Sequence, residues 1–261
     1  MGAGLGFDEA TARRIEALYQ SPGAIRRRSL VLGLLRPRSG ERILDVGCGP
    51  GFLAAELGAA VGPSGAVEAI DTSDAMLALS RARCGAQPWV SVRRGDAARL
   101  ELADGAFDAA VSVQVHEYVK DVAGSLGAVF RGLRAGGRAL VVATDWDSLV
   151  WHSSDPDRMR RVLSAFDEHL ADAHLPRRLG PLLVHAGFAL RRCEVLVHLD
   201  DAFDPSTFGH GLSDLIQRFV PGRRGVTHEE ADAWAADLAE LGRRGEYFFS
   251  LNQYLFLAAK P

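Results

Sequence analysis

Through the first half of the chain, short and nearly unbroken apolar runs alternate with longer amphipathic segments. The runs lie at 42–46, 66–70, 90–93, 107–113 and 138–143. Their length and β-branched content predict strands buried on both faces. Residues 52–60, 74–83 and 123–133 lie between them and predict helices. Ser73 or Asp74 stands where an N-cap belongs, and Gly136 follows the third helix as a stop signal. Strands separated by helices of about 10–15 residues predict right-handed βαβ units, hence an α/β fold with a parallel sheet covered on both faces.

Beyond residue 144 the pattern changes. Residues 145–178, rich in Trp, His, Arg and Asp, predict a loop and one helix. A helix over 178–186 and a strand near 193–199 follow. Residues 203–246 predict helices broken at Pro221-Gly222, and 247–258 a final aromatic-rich strand. With no internal repeat and no long linker, the expectation is one domain over 1–261. It would comprise an N-terminal helical segment (1–39), a core (40–143) and two insertions (145–178 and 203–246) forming a cap.

Composition narrows the partners more than the fold. Of 261 residues, 48% are hydrophobic and 24% charged, which excludes disordered, collagen-like and coiled-coil classes. A net charge of −3 gives no reason to expect a polyanionic partner, so nucleic acid is not expected. Cys48, Cys84 and Cys193 lie far apart and make neither a disulfide framework nor a metal-ligand spacing. Metal is not expected, and the cytoplasm is the default compartment. Met-Gly-Ala-Gly-Leu-Gly at the start lacks a signal-peptide pattern, and Gly6 argues against myristoylation. No apolar stretch reaches the ~20 residues needed to cross a bilayer.

The most informative stretch is Ile43-Leu-Asp-Val-Gly-Cys-Gly-Pro-Gly-Phe52. A strand runs into glycines and then a helix, the arrangement that lets backbone approach a ligand at the carboxyl edge of a parallel sheet. The dinucleotide fingerprint spaces its third glycine one residue later. Asp45 is also ill-placed beside a pyrophosphate and better suited to an amine or a sulfonium. Asp71 ends the second strand, where a carboxylate can accept from both ribose hydroxyls. Asp96, in Arg94-Gly-Asp-Ala97, follows the third strand; it is either a loop residue or a contact to the edge of an adenine.

These segments together resemble the class I S-adenosylmethionine-dependent methyltransferases. The motifs are Leu-Asp-Val-Gly-Cys-Gly-Pro-Gly, Ala-Ile-Asp-x-Ser-x-x-Met-Leu, Gly-Asp-Ala, Phe-Asp-Ala-Ala-Val-Ser-Val and Leu-Arg-Ala-Gly-Gly-Arg. They cover roughly residues 40–143, and the closest likeness is to the ubiquinone/menaquinone-biosynthesis-type small-molecule branch. The resemblance implies a Rossmann-like, mostly parallel seven-stranded sheet, with residues 247–259 as the closing antiparallel strand. It implies S-adenosylmethionine as cofactor and is compatible with a homodimer. It places Asp45, Gly47, Cys48 and Gly49 at the methionine moiety and Asp71 at the ribose. Thr72, Met76, Asp96 and Ala97 would meet the adenine, and Gln114 would lie below the sulfonium. That branch often has a His where Tyr118 stands, which leaves the role of neighbouring His116 open.

Three features remain. Tyr19 and Arg28 precede or join the N-terminal helix, and Arg28 shares a face with Val31, Leu32 and Leu35 by helical spacing. It would reach the cofactor carboxylate or else snorkel to water. His116, just beyond the fourth strand, is the candidate catalytic base if the acceptor must lose a proton; otherwise it is a loop histidine. Trp146 and Trp151 either wall an acceptor pocket or pack under the next helix. Phe203, Phe208, His210, Phe219, Trp234 and Tyr254 could add rings to that pocket, although most should be core. The expected reaction is in-line methyl transfer to a small, largely apolar or ring-bearing molecule. A protein or nucleic-acid methyltransferase and a nicotinamide-dependent oxidoreductase are the alternatives.

Overall fold

The computed structural model describes residues 8–261. The expectations about a signal peptide and myristoylation, which concern Met1 to Gly6, lie outside the described residues. Five strands run parallel: β1 (Arg42–Val46), β2 (Ala66–Asp71), β3 (Val90–Arg94), β4 (Phe107–Val113) and β5 (Leu133–Thr144). Their order is β3-β2-β1-β4-β5. β8 (Phe249–Ala259) adds antiparallel to β5, and β7 (Ala189–Asp200) closes the edge antiparallel to β8. The two-residue β6 (Val150–Trp151) pairs with β8 just past the end of β5. The described residues therefore hold eight strands on seven sheet positions, the expected Rossmann-like arrangement with one short extension.

Alternation along each strand decides which layer each side chain joins. From β1, Ile43 packs with Val31 and Leu35 of α2 (Pro22–Leu35) and with Leu53 and Leu57 of α3 (Phe52–Val61). Leu44 and Val46 point the other way, against α5 (Val122–Gly132) and α7 (Pro176–His185). β4 alternates likewise, with Ala109 and Val111 on the first face and Ala110 on the second. Since β1 lies between β2 and β4, connections leave it in opposite directions. Such a switch point opens a crevice at the carboxyl ends of the strands.

A third layer stands at that edge. α1 (Glu9–Leu18), α6 (Pro156–Phe166), α8 (Phe208–Phe219) and α9 (His228–Arg243) share one apolar cluster with Met76, Trp146 and Trp151. α8 buries Phe208, Leu212, Leu215, Ile216 and Phe219, an i, i+4, i+7, i+8, i+11 stripe. Thr207 and Thr227 cap α8 and α9 through their side chains. α4 (Asp74–Cys84) opens on Ser73, whose hydroxyl accepts from the Met76 amide. No helix among the described residues is long and apolar enough to cross a membrane.

Candidate cofactor and acceptor cleft

The glycine-rich turn is dictated by what surrounds it. Gly47 has φ +69°, and a Cβ there would lie 2.3 Å from Val115 Cγ2. Gly51 has φ +81°, and its Cβ would fall 2.7 Å from Ser80 Cα. Both positions combine a left-handed backbone with no room for a side chain. Asp71 then ties the turn to the next strand. One carboxylate oxygen accepts from the Gly49 amide at 2.9 Å, the other from the Ser73 amide at 2.9 Å. Asp45 is 2% exposed, and its Oδ2 has no partner among the described residues. Burial, with repulsion from Asp71 second, pushes its carboxyl up to about 7. Burial likewise raises the Cys48 thiol, which rules it out as a neutral-pH nucleophile.

A cleft of about 850 Å³ opens beside this turn. Of the sequence-predicted residues, Tyr19, Gly47, Gly49, Asp71, Thr72, Met76, Asp96, Ala97 and Gln114 line it. Asp45 and Cys48 lie behind the wall. Asp96 also accepts from the Ala98 amide at 2.8 Å and so caps a short turn. Gln114 reaches the cleft from a strained backbone, φ 55° at a non-glycine residue.

A buried polar network fixes the Gln114 amide. Its oxygen accepts from Arg27 Nη1, and its nitrogen donates to Thr144 Oγ1 at 3.0 Å. Thr144 Oγ1 also accepts from Gln253 Nε2 at 3.1 Å. Gln253 Oε1 in turn lies 2.8 Å from His198 Nε2. The Thr144 amide donates to Glu117, whose second oxygen is unpartnered among the described residues. Burial raises Glu117 to about 7 and lowers His198 to about 4, so neither is fully charged near neutrality. Arg27 lies over the Tyr19 ring, 4.8 Å from its centroid.

Two expected residues are displaced from the cleft. Arg28 donates to Glu56 at 2.9 Å and to the Tyr19 carbonyl at 2.6 Å, with its head over Phe52. The buried stripe of α2 is Ala24, Arg27, Val31 and Leu35, so Arg27 takes the inward place expected of Arg28. His116 is turned into the α5 layer. Its ring nitrogens lie 3.0 Å from Ser112 Oγ and 3.2 Å from Ser125 Oγ, and burial lowers it to about 4. Ser112 alternates with Val111 and so faces α5, drawing His116 away from the cleft. A base that must meet an acceptor cannot be this residue. The same turn presents Tyr118 to the cleft instead.

The opposite wall is apolar and ring-rich. Trp146 and Phe208 line it, as do Phe166, His169, Leu212 and Leu215. Trp151 does not: it donates to the Tyr247 hydroxyl and packs on Trp234 and Phe249. Phe219 and Trp234 are core, and Phe203 packs at a tilt on His210 and edge to face on Tyr247, outside the cleft lining. Phe166 and His169 were not marked by the sequence; the ring-rich third layer was the available signal. Asp145, Asp147 and His174 approach within 4.8 Å of one another, but Arg177 already pairs both carboxylates. Asp155 caps α6, and Asp157 pairs with Arg160.

Residues 44–141 match the protein family described as methyltransferase domain. Over these residues the chain carries a methyltransferase domain. An uncharacterised 37.1 kDa protein in transposon TN4556 of Streptomyces fradiae is 37% identical over 181 residues, 67% of this chain and 51% of that protein. Demethylmenaquinone methyltransferase of Symbiobacterium thermophilum is 35% identical over 104 residues, 39% of this chain and 41% of that enzyme. The chain thus spans about half the length of the curated relatives it matches. Among solved structures, Haemonchus contortus phosphoethanolamine N-methyltransferase 2, in complex with phosphomonomethylethanolamine and S-adenosylhomocysteine, superposes with a TM-score of 0.64. It is 20% identical, and the match covers 98% of this chain and 58% of that one.

Proposed function

We propose that this methyltransferase domain binds S-adenosylmethionine and methylates a small, largely apolar or ring-bearing acceptor. One observation carries the reading: a single cleft joins the glycine turn and the Asp71 and Asp96 carboxylates to a ring-lined wall across Gln114. The donor set fits the cofactor. Asp71 has further lone pairs for a ribose diol, and Gly49, where a Cβ would meet nothing closer than Tyr19 Cε2 at 3.9 Å, leaves the space a side chain would fill. The buried Asp45 carboxyl, one oxygen unpartnered, supplies negative charge behind the turn.

When bound, S-adenosylmethionine supplies a methyl group on a positively charged sulfur. The leaving thioether is neutral, so the protein has no developing anion to stabilise there. Its tasks are to align the acceptor and exclude water. Gln114, locked on both sides of its amide, would hold the floor between cofactor and acceptor. Residues 145–178 and 203–246, with α1, would form the cap that dries the cleft. The demethylmenaquinone methyltransferase relative supports a ring-bearing acceptor. The test is calorimetric titration with S-adenosylhomocysteine and with NADH. S-adenosylhomocysteine should bind with a Kd between low micromolar and sub-millimolar, roughly −5 to −8 kcal/mol. Binding of NADH in its place would contradict the reading.

A further inference from the structure

We infer that two copies of this chain associate through β7, edge to edge and antiparallel, about a two-fold axis at Leu196. β7 runs for 12 residues and pairs only with β8 among the described residues, so its other side is the end of the sheet. The backbone groups on that side follow from the ladder. The Asn252 amide donates to Ser148 Oγ at 2.9 Å, and the Asn252 carbonyl accepts from the Asp145 amide at 3.3 Å. Asn252 thus turns both groups away from β7, and its register partner Val197 turns both away from β8. By the alternation of an antiparallel ladder, Cys193, Val195 and Leu199 do the same. The Arg26 guanidinium donates to the Val197 carbonyl and must yield that acceptor to an incoming strand.

The same residues carry an unpartnered apolar face. Leu196 and His198 point inward, to Val31 and Leu35 of α2 and to Phe208 of α8. Val195, Val197 and Leu199 point the other way and are 42–57% exposed. The row continues from Leu199 through Ser250 of β8 to exposed Val150 of β6. A long apolar edge of this kind is a template for another strand. Its own sequence decides which strand fits. An axis at Leu196 sets Val195 opposite Val197 and Cys193 opposite Leu199, so outward amides meet outward carbonyls. It also sets exposed Arg192 opposite Asp200 on both sides of the axis, in the closely spaced pairs where side chains meet. An axis at Val195 leaves Asp200 facing Leu190. Axes at Glu194 or Val197 oppose Glu194 to itself or to Asp200, which like charges disfavour. A strand complementary to itself in one register makes an isologous contact, and the occupant is a second copy.

Sedimentation equilibrium on the full chain should show a dimer with a Kd of about 1–10 μM. Val195→Pro is the first variant. It removes an outward N–H and leaves the β8 ladder intact, because that N–H does not face β8. It should weaken the dimer at least about tenfold, with an unchanged far-UV circular dichroism spectrum. Leu199→Cys tests the register without disturbing the backbone. Within one chain, positions 193 and 199 are about 20 Å apart along the strand and cannot bridge. Across the axis their Cα atoms lie about 5.5 Å apart, within reach of a disulfide. Oxidation by diamide should link Leu199→Cys into a covalent dimer, and adding Cys193→Ser should abolish the link. A native chain that stays monomeric at about 100 μM would overturn the inference. So would a dimer unaffected by Val195→Pro, or a Leu199→Cys protein that does not cross-link or does so without Cys193.

Discussion

Asp71 and Asp45 illustrate how two carboxylates, 26 residues apart, divide one task. Asp71 faces the cleft with both oxygens already anchored by backbone amides, so its orientation is set before any ligand arrives. Asp71→Ala should weaken S-adenosylhomocysteine binding by ~1–3 kcal/mol, read by calorimetry, because charge-assisted hydrogen bonds to the ribose are lost. Asp45 is buried behind the turn and about half protonated near pH 7. A cationic ligand nearby favours its ionised form, so its proton should leave on binding. S-adenosylmethionine affinity should therefore rise between pH 6 and 8. Titrations in two buffers of different ionisation enthalpy should show proton release. Both effects should vanish in Asp45→Asn; if proton release persists there, another group is responsible.

Within elements, burial decides which of two similar residues matters. Arg27 and Arg28 are neighbours on α2, yet only Arg27 feeds the Gln114 and Gln253 amides. Arg27→Ala would strand buried acceptors and should cost about 1–3 kcal/mol or more in urea unfolding. Arg28→Ala breaks a part-buried pair with Glu56 and a bond to the Tyr19 carbonyl but strands no fully buried side-chain acceptor, and should cost less, about 1 kcal/mol. Similar costs for the two would contradict the network. The sequence left this register ambiguous, because 27, 31 and 35 fit a helical stripe as well as 28, 31 and 35. The long arginine side chain gave no hint of which was inside. The β-strands were legible because parallel strands buried on both faces read as apolar runs, and the glycine turn because only glycine tolerates those contacts. Between the two roles open to His116, phase decides against the cleft: alternation along β4 sends Ser112 toward α5, and the histidine follows it. His169 sits in a polar Asp-Glu-His turn that carries no periodic signal, and its place in the cleft wall depends on packing against Trp146 and Phe166 from distant segments.

For the whole molecule, buried titratable groups set an expected pH dependence. His116, His169 and His198 fall from 6.5 to about 4 on folding. The unfolded chain binds more protons at these sites between those limits, so their contribution raises stability with pH over that window. Asp45 and Glu117 act oppositely, rising from 3.8 and 4.5 to about 7. Folding holds protons there that the unfolded chain releases, so their contribution is lost as pH rises through 7. The two sets largely oppose each other below pH 6.5; above it only the carboxyls act. The Tm of the ligand-free protein should therefore fall from pH 6.5 to 8, and the double variant Asp45→Asn, Glu117→Gln should flatten that fall. An unchanged slope in the double variant would place the effect elsewhere. The central claim, that one cleft seats S-adenosylmethionine along the glycine turn with the acceptor wall beyond it, is tested most directly by a crystal structure with S-adenosylhomocysteine. Ribose hydroxyls should lie on the Asp71 carboxylate, adenine beside Asp96 and Ala97, and sulfur should point past Gln114 toward the ring-lined wall at Trp146 and Phe208. Ligand density elsewhere, or a ribose that does not touch Asp71, would contradict it.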